Sequence, residues 1–439
     1  MTETVESKHD VIAIGAGPFN LGLAALASTV DDLDVVVLES RTEFRWHPGL
    51  MFDDAMLQVS FLADLVSLVA PTHPLSFLSY LHDTDRMYPF YVREQFHPTR
   101  REYEHYLRWA VSKLPSVRWS HRVEAVRWDA GASLFTVHVV HADGRRSVMQ
   151  AKDLVLGVGT EPNVPEALAA LPGDKLLHTA DYLHRSSDVE AAGRVTVIGS
   201  GQSGAEVALD LLRRNAAGGG AVSWLTRTVS FAPLDYTKLV LEMTTPAYIR
   251  YFHDLPQSKR DELVAEQWRH YKGISTETLE AIHDVLYQRD LAPGLADVEL
   301  RNGIAIEGST VDSNGRAVLT CRHRDTGRTF EHVTDLVVAA TGYKQRKPAF
   351  LAPMENLVRR DEKGRYKIAL DHSIELDATV TGRVYVSNAD LHSHGVAAPD
   401  LGIGAFRNAT ILNSVSGREL YRLPKNTAYT SFAVPGGAG

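Results

Sequence analysis

The sequence predicts an α/β fold built from two doubly wound units, the second of which is inserted into the first. Two glycine-rich turns carry this prediction, GAGPFN at residues 15–20 and GSGQSG at residues 199–204. Each turn follows a short apolar run and precedes a helical pattern. Strand, tight turn and helix N-terminus in this order direct backbone N–H groups at a pyrophosphate, as in Rossmann-like domains. Two such units in one chain favour two bound dinucleotides, a flavin and a nicotinamide.

Composition narrows the class of protein. A chain of 439 residues with 44% hydrophobic and 23% charged residues can form two or three globular domains. The net charge of −8 gives no reason to expect nucleic acid or an anionic membrane as a partner. Cys321 is the single cysteine, which excludes a dithiol redox pair and the disulfide reductases. With no apolar run long enough to span a bilayer and a polar N-terminus, a cytoplasmic location is expected.

In the first unit, the apolar pattern places the elements around the first glycine turn. The predicted elements are a strand at 10–15, a helix at 21–28, a strand at 34–39, a helix at 103–114 and short strands within 117–156. The segment 44–100 is rich in aromatic residues, Pro and His. Because it is too long and too apolar for a plain connection, we expect it to build part of a site.

Three prolines, Pro162, Pro165 and Pro172, mark the crossing to the second unit. Beyond the second glycine turn, the predicted elements are mostly solvated helices at 256–290, strands at 317–341, and a strand, glycine-rich loop and helix at 383–415. The predicted domains are a flavin domain at 1–172, an inserted nicotinamide domain at 173–330, the rest of the flavin domain with a substrate loop at 331–430, and a disordered tail at 431–439. Two sequential domains are the alternative.

Two residues indicate which dinucleotide each turn binds. Glu39 ends the second strand, where an acid accepts hydrogen bonds from the adenosine ribose; a solvated glutamate is the alternative. Arg227 follows the strand after the second turn, where an arginine can pair with a 2′-phosphate. This favours NADPH over NADH, and a surface arginine is the alternative. Asn20 stands at the third glycine position of the first turn, where a small polar residue can serve at a helix start.

No metal site is predicted. His47 has no partner at ligand spacing, and His392 and His394 lie two residues apart on a predicted loop, which is a weak pattern for a metal ligand pair.

Six segments have a more specific pattern. They are GAGPFNLGLA at 15–24, RWHPGL at 45–50, LQVSFLADLVSLVAPTHPLSFLSYL at 57–81, GSGQSGAE at 199–206, ATGY at 340–343 and SHGVAAPDLGIGAFRNATILN at 393–413. Together they resemble the flavin-dependent amine N-hydroxylases of siderophore biosynthesis, which act on lysine, ornithine or diamines. The resemblance covers nearly the whole chain. FYVREQF at 90–96 and the loop at 393–404 are most similar to the diamine branch.

The resemblance implies a set of cofactor contacts. Contacts to FAD are expected at Gly15, Gly17, Pro18, Asn20, Glu39, Trp46, His47 and Gln58. Contacts to NADPH are expected at Gly199, Ser200, Gly201, Gln202, Ser203, Gly204 and Arg227, and Thr341 and Gly342 are also expected to bind cofactor. Gln58 would position the reactants beside the flavin ring, and no covalent catalytic residue is expected.

Three departures from the amino-acid-specific members bear on the substrate. Ala63 stands where those enzymes carry a lysine that pairs with the substrate carboxylate; Leu241 replaces an asparagine and Gly402 a serine. A carboxylate against such residues would be unpaired, which is costly in a dry pocket. The expected substrate is therefore putrescine or cadaverine. Asp64, Glu242 and Asp400 are candidates to hold the second ammonium, although each could equally serve as a structural cap or ion-pair partner.

The implied reaction is N-hydroxylation of a neutral amine by a C4a-hydroperoxyflavin, with NADPH as reductant and O2 as oxidant. Lysine or ornithine hydroxylation is the alternative, and another two-dinucleotide flavin monooxygenase or a non-catalytic binding protein are more remote ones. A homo-oligomer, dimer or tetramer, is expected, with no nucleic acid and no membrane as partners.

Overall fold

Two sheets with parallel cores organise the chain, and the computed structural model describes residues 5–292 and 294–434. The strands are β1 (Val5–Ile14), β2 (Val35–Leu38), β3 (Val117–Arg118), β4 (His121–Asp129), β5 (Leu134–His141), β6 (Arg146–Leu156), β7 (Thr160–Pro162), β8 (Leu176–His178), β9 (Arg194–Ile198), β10 (Ala221–Leu225), β11 (Val298–Arg301), β12 (Ile304–Val311), β13 (Ala317–His323), β14 (Thr329–Thr334), β15 (Leu336–Ala339), β16 (Tyr343–Gln345) and β17 (Val384–Val386).

The α-helices begin and end within the same described ranges. They are α1 (Pro18–Ala27), α2 (Phe77–Asp83), α3 (Met87–Arg93), α4 (Arg100–Ser112), α5 (Ser186–Ala191), α6 (Gln202–Ala216), α7 (Lys238–Leu241), α8 (Pro246–Asp254), α9 (Gln257–Glu266), α10 (Arg269–Lys272), α11 (Thr276–Arg289), α12 (Leu391–His394) and α13 (Gly404–Ser416). The helical prediction for residues 256–290 is thus confirmed as three separate helices. In the described part of the chain, no helix combines the length and apolarity that crossing a bilayer requires.

The first sheet has the strand order β3-β2-β1-β6-β5-β4, and β17 also pairs with β6. Its central strand β1 is buried on both faces: Val11 and Ala13 pack on one side, while Ile12 and Ile14 pack on the other. A strand that is covered on both faces is apolar throughout, and for this reason the strand could be predicted from the sequence. Because β17 rejoins β6 in parallel, the chain leaves the first sheet after β6 and returns to it near the end.

The second sheet is wholly parallel, with the order β11-β10-β9-β15-β8. Because β15 lies between β9 and β8, residues 336–339 belong to the second unit, and the predicted domain boundary at residue 330 is wrong. The boundary was misplaced because β15 is followed by Ala-Thr-Gly and β6 by Gly-Val-Gly-Thr, so the two strands have similar sequences at their ends. The antiparallel strands β12, β13 and β14 form a separate small sheet on this unit.

The two crossings between the units pair with each other. The short strands β7 and β16 are antiparallel, and they join the outgoing chain at residues 160–162 to the returning chain at 343–345. Insertion, rather than two sequential domains, therefore describes the path of the chain.

The predicted disordered tail is wrong for the part of it that the structure describes. The ring of Phe432 lies 5.0 Å from that of Tyr248 and stacks 6.1 Å from that of Tyr251. Residues 435–439, the remainder of that prediction, lie outside the described residues.

Candidate active site

The first glycine turn forms a cradle for a phosphate-bearing ligand. Gly15 has φ +94°, and a Cβ there would lie 2.4 Å from the carbonyl oxygen of Gly157, so only glycine fits. Gly17 precedes α1 without a side-chain cap, and a Cβ on it would meet open space. Pro18 takes the first helical position, where its missing N–H costs nothing. The free N–H groups of the first turn of α1 thus face an open site that suits a pyrophosphate.

Glu39 lies beside this cradle, at the end of β2. Its Oε2 accepts a hydrogen bond from the backbone N–H of Ala16 at 2.9 Å, and its Oε1 accepts one from that of Arg41 at 2.9 Å. Burial by itself raises the pKa of this carboxyl, but the Arg41 side chain and these N–H groups outweigh it, and the pKa is lowered. Glu39 is therefore a fixed anion beside the first glycine turn, and its contact with a ribose stays a prediction.

Asn20 supports the turn from behind. Its side chain is buried, and its Nδ2 donates to the carbonyl oxygens of Gly15 at 2.8 Å and Ile14 at 3.2 Å. A Cβ on Gly157 would collide with this amide at 2.3 Å. The amide therefore closes the β1–α1 turn onto β6, which gives Asn20 a positioning role, and its contact to FAD stays a prediction.

Trp46 and His47, in the segment that follows β2, line a cavity. Their rings are 5.1 Å apart, and His47 also faces Tyr343 at 6.4 Å. His47 is exposed at its surface, but much of the protein lies around its ring. This enclosure, followed by the charges of Arg100 and Arg41, lowers the pKa of His47 to about 4. His47 is thus a neutral group at physiological pH.

The second glycine turn repeats the geometry of the first. Gly199 has φ +121°, and a Cβ there would lie 2.2 Å from the carbonyl oxygen of Ala340. A Cβ on Gly204 would lie 2.6 Å from the Gly199 carbonyl oxygen, so both positions require glycine. Gly201 precedes α6 without a side-chain cap. The first turn of α6 consequently offers a second set of free N–H groups for a phosphate.

The side chain of Gln202 joins the two units, and its contact to the nicotinamide cofactor stays a prediction. Its Oε1 accepts from the backbone N–H of Ser275 at 2.8 Å and from Gln58 Nε2 at 3.4 Å. Its own Nε2 donates to Glu206 at 2.8 Å and to Thr278 at 3.1 Å. These bonds fill the capacity of the amide.

Arg100 and Glu206 form an ion pair across the same junction. The two guanidinium nitrogens lie 2.8 and 2.6 Å from the two carboxylate oxygens, and both side chains are largely buried. A bidentate, sheltered pair of this kind fixes orientation as well as distance. It sets α4 of the first unit against α6 of the second, and so holds the two cradles in register.

Between the units lies a cleft of about 1400 Å³, which adjoins the cavity beside Trp46 and His47. Residues common to both spaces are Leu57, Gln58, Val59, Tyr236 and Asp400. Ser203, on α6, lines the inner cavity as well. Gln58 lines both spaces, and the second cradle borders them through Gln202 and Ser203 at the start of α6.

The structure brings together the residues that were predicted to select the substrate. Ala63, Leu241, Asp400 and Gly402 all line the cleft. A Cβ added to Gly402 would lie 3.9 Å from that of Ala63 and 3.0 Å from Asp400 Oδ1. Two small residues thus leave room directly beside a carboxylate.

Asp400 has one oxygen available to a ligand. Its Oδ1 accepts from the Gly402 N–H at 2.6 Å, and in the described ranges no donor is bonded to Oδ2. Burial raises the pKa of this carboxyl, against the opposing effects of the Gly402 N–H and Arg407. Burial and the nearby Asp400 also raise the pKa of Tyr236. A cationic group in the cleft would satisfy this carboxylate.

Asp64 does not face the cleft. Its Oδ1 accepts from the N–H groups of Val66 and Ser67, and its Oδ2 accepts from Ser67 Oγ and the Phe77 N–H, at 2.6–2.9 Å. Four donors leave no room for an ammonium, so the prediction of a substrate contact is wrong here. The carboxylate orders the loop before α2, as in other Asx turns.

Glu242 is likewise occupied elsewhere. Its two oxygens accept from the backbone N–H groups of Tyr429 at 2.9 Å and Thr430 at 2.8 Å. It anchors the C-terminal segment over α8, and the predicted contact to the substrate is wrong. The roles of Asp64 and Glu242 could not be assigned from sequence alone, because a carboxylate that caps backbone N–H groups and one that binds substrate are the same residue type in the sequence.

Thr341 and Gly342 lie at the crossing between the units. Thr341 donates to the carbonyl oxygen of Asn163 on the outgoing crossing, and the Gly342 carbonyl accepts from His178 at 3.0 Å. Their neighbour Tyr343 is the one that lines the inner cavity. Sequence reasoning missed Tyr343 and also Arg100, Tyr236, His270 and Tyr271, which line the same space. Only ATGY offered a signal for any of them.

A buried charge cluster lies behind the substrate loop. His372 Nδ1 and Asp390 Oδ2 are 2.8 Å apart, and His394 stacks on His372 at 4.1 Å. These three residues have ligand atoms within 4.8 Å of one another. However, Arg407 lies 3.6 Å from the same Asp390 oxygen, and its charge opposes a second cation. The absence of a metal stays a prediction.

Two glycine cradles, each at the start of a helix in its own α/β unit, define the class of two-dinucleotide, flavin- and nicotinamide-dependent proteins. Comparison with known proteins narrows this class. Residues 7–345 match the family described as L-lysine 6-monooxygenase/L-ornithine 5-monooxygenase. The chain belongs to this family.

Individual relatives align along almost the full length. A putrescine N-hydroxylase of Shewanella oneidensis is 37% identical, over 97% of this chain and 84% of that protein. The rhizobactin siderophore biosynthesis protein RhbE of Rhizobium meliloti is 40% identical, over 97% of this chain and 95% of that protein. The crystal structure of FAD-bound DfoA, a cadaverine monooxygenase of Erwinia amylovora, superposes with a TM-score of 0.94 at 38% identity, covering 99% of this chain and 100% of DfoA.

Proposed function

We propose that the protein N-hydroxylates a primary aliphatic diamine, putrescine or cadaverine, with FAD, NADPH and O2, early in the biosynthesis of a hydroxamate siderophore. The observation that carries this proposal is the arrangement of Ala63, Gly402 and Asp400. The cleft offers a carboxylate and two small neutral residues, and so suits a cation without an acid headgroup. Relatives that act on putrescine and cadaverine support the same substrate class.

The two cradles fit the two dinucleotides. Gly15, Gly17 and Glu39 would hold FAD, while Gly199, Gly201 and the first turn of α6 would hold NADPH. When bound, the flavin supplies oxygen activation and the nicotinamide supplies the hydride. The network of Gln58 and Gln202 and the Arg100–Glu206 pair keep the cradles facing one space.

The remaining work of the chain is to bind and orient the diamine. Asp400 Oδ2 holds the distal ammonium, which fixes the length of carbon chain that reaches the inner cavity. The proximal amine must be neutral to act as a nucleophile, although a free alkylamine has a pKa near 10.4. Enclosure of that end among Leu57, Val59 and the aromatic residues favours the neutral form, because burial disfavours charge. The same enclosure excludes water from the reacting atoms.

A substrate panel tests this proposal. The FAD-loaded enzyme is incubated with NADPH and putrescine, cadaverine, lysine or ornithine, and the hydroxylamine product is quantified by mass spectrometry. Hydroxylamine is measured because NADPH oxidation alone also reports uncoupled peroxide release. We expect a diamine to be preferred by at least about tenfold. A preference for lysine or ornithine would overturn the assignment, and an ester or sulfoxide activity would indicate another class of flavin monooxygenase.

The proposal includes a homo-oligomeric assembly, dimer or tetramer, and a cytoplasmic location, where NADPH is available. Helix α3 supports the assembly: none of its side chains is buried, and Tyr88, Tyr91 and Val92 expose 73–80% of their surface. Such an apolar surface is typical of a protein–protein contact. Light scattering of the purified holoenzyme measures the oligomeric state, and a monomer at micromolar concentration would contradict this part.

A further inference from the structure

A separate pocket on the nicotinamide unit is lined by three arginines. Arg227, Arg322 and Arg324, together with Ala305, line an open pocket of about 480 Å³ at the carboxyl end of β10. Arg227 comes from the loop after β10, whereas Ala305 and Arg322 come from β12 and β13 of the small antiparallel sheet. Residues almost a hundred positions apart therefore form one basic pocket, and no pattern along the chain associates them.

Backbone hydrogen bonds hold the arginines in place. The N–H of Ile304 donates to the Thr226 carbonyl at 2.8 Å, and that of Gly303 donates to the Thr228 carbonyl at 2.8 Å. The Arg324 N–H in turn donates to the Gly303 carbonyl at 2.8 Å, and its Nη1 donates to the Arg227 carbonyl at 3.1 Å. The start of β12 and the turn after β13 are thus tied to the loop that carries Arg227.

The charges of the pocket are incompletely neutralised. Arg322 pairs with Glu307, but no carboxylate of the described residues pairs with the side chain of Arg227 or Arg324. Burial and the charge of Arg227 lower the pKa of Lys272, so a fourth basic group lies within electrostatic reach. Cations gathered in this way repel one another, and an anion of two charges would relieve the repulsion.

The pocket adjoins the second glycine cradle. Ser200 Oγ, in the glycine turn, lies 2.9 Å from Thr228 Oγ1, in the loop that follows Arg227. A dinucleotide whose pyrophosphate lies on α6 therefore extends its adenosine ribose toward the end of β10. The group that reaches this position is the 2′-substituent of that ribose.

We propose that Arg322 and Arg324, together with Arg227, bind the 2′-phosphate of NADPH and select it over NADH. Arg324 is the principal new specificity residue, because its guanidinium is free of a carboxylate partner. Arg322 contacts the same phosphate, but its charge is partly neutralised by Glu307. The inference rests on the proposed use of NADPH, and it assigns residues that neither the glycine turn nor the Arg227 position identified.

The test compares the two nicotinamides in FAD-loaded enzyme. Arg324→Ala, Arg322→Ala and the control Arg328→Ala, on the same hairpin but outside the pocket, are assayed for anaerobic flavin reduction. We expect Arg324→Ala to raise KM for NADPH about ten- to a hundredfold, the value of a lost charged hydrogen bond, with KM for NADH unchanged. Arg328→Ala should match the parent enzyme with both nicotinamides.

Equal losses with NADPH and NADH, or a normal KM for NADPH in Arg324→Ala, would overturn the inference. Arg324→Gln serves as a second variant should Arg324→Ala fail to fold. Calorimetric binding of 2′-AMP, 5′-AMP and inorganic phosphate, which needs no turnover, distinguishes a phosphoribosyl site from a general anion site: of the three affinities, only that for 2′-AMP should fall in Arg324→Ala. Because flavin reduction is measured without an amine, failure of the diamine assignment would leave this result interpretable.

Discussion

Replacing Asp400 by asparagine isolates the charge that we assign to the distal ammonium. An asparagine oxygen can still accept the Gly402 N–H that Asp400 Oδ1 accepts at 2.6 Å, so the loop keeps its hydrogen bond. What is lost is the charge on Oδ2, which has no donor in the described part of the chain. The Asp400→Asn variant therefore changes electrostatics with little change of shape.

The size of the effect follows from the enclosure of this carboxylate. Two unit charges about 4 Å apart attract by about 4 kcal/mol at an effective dielectric constant near 20. Truncation of one partner of a sheltered charge pair costs about 2–5 kcal/mol. Part of the attraction is offset by desolvation, so we expect a loss of about 2–4 kcal/mol, or about 30- to 700-fold in kcat/KM for putrescine.

Monoamines provide the matched control. Butylamine has the length of putrescine without its second ammonium, so Asp400→Asn should change kcat/KM for butylamine by no more than about threefold or improve it, because a desolvated carboxylate no longer opposes an apolar chain end. Hydroxylamine formation and FAD content are measured for both substrates. Equal losses on putrescine and butylamine would show that Asp400 is structural, and an unchanged putrescine activity would show that another group holds the ammonium.

Three further outcomes are expected. Ala63→Lys should raise KM for putrescine at least about tenfold, because the new ammonium can pair with Asp400; if putrescine kinetics are unaffected, Ala63 does not border the diamine. In the parent enzyme, kcat/KM for hydroxylamine formation should rise from pH 6 to 9 as the amine loses its proton, whereas a flat profile would count against a neutral nucleophile. His47, with a pKa lowered to about 4, should add no ionisation to that profile, so His47→Asn should keep its shape. Arg407→Met leaves the buried Asp390 with its His372 hydrogen bond but without a cationic partner, and should reduce the free energy of unfolding by about 3–5 kcal/mol in urea titration, with Arg407→Met/Asp390→Asn recovering part of it; an undiminished stability would mean that the pair contributes nothing.

Most of the fold could be predicted from local patterns in the sequence. The glycine turns were predictable because Gly15 and Gly199 sit at positive φ against a neighbouring carbonyl, a constraint that only glycine meets. The end of the second unit was not predictable, because membership of β15 in one sheet or the other depends on pairing with β9 and β8, which are distant along the chain.

The candidate site likewise contains some residues that could be predicted from the sequence and others that could not. Ala63, Leu241 and Gly402 were assigned from sequence because a resemblance marks positions where a side chain is small or apolar. The sequence could not show which of the three acids is available to the substrate. In the structure, the oxygens of Asp64 and Glu242 accept hydrogen bonds from backbone N–H groups, and of the three acids only Asp400 lines the cleft. Donors from loops that are distant in the sequence determine which carboxylate is occupied and which is available.

The sequence by itself indicated two dinucleotide cradles and, at Ala63, Leu241 and Gly402, three positions that offer a carboxylate no charged partner, because glycine and residue size act locally. The tertiary structure decided which acid is free, how Arg100 and Glu206 align the units, and that Arg322 and Arg324 join Arg227. Burial and charge pairing are properties of neighbours in space, so they arise only when separate segments of the chain meet.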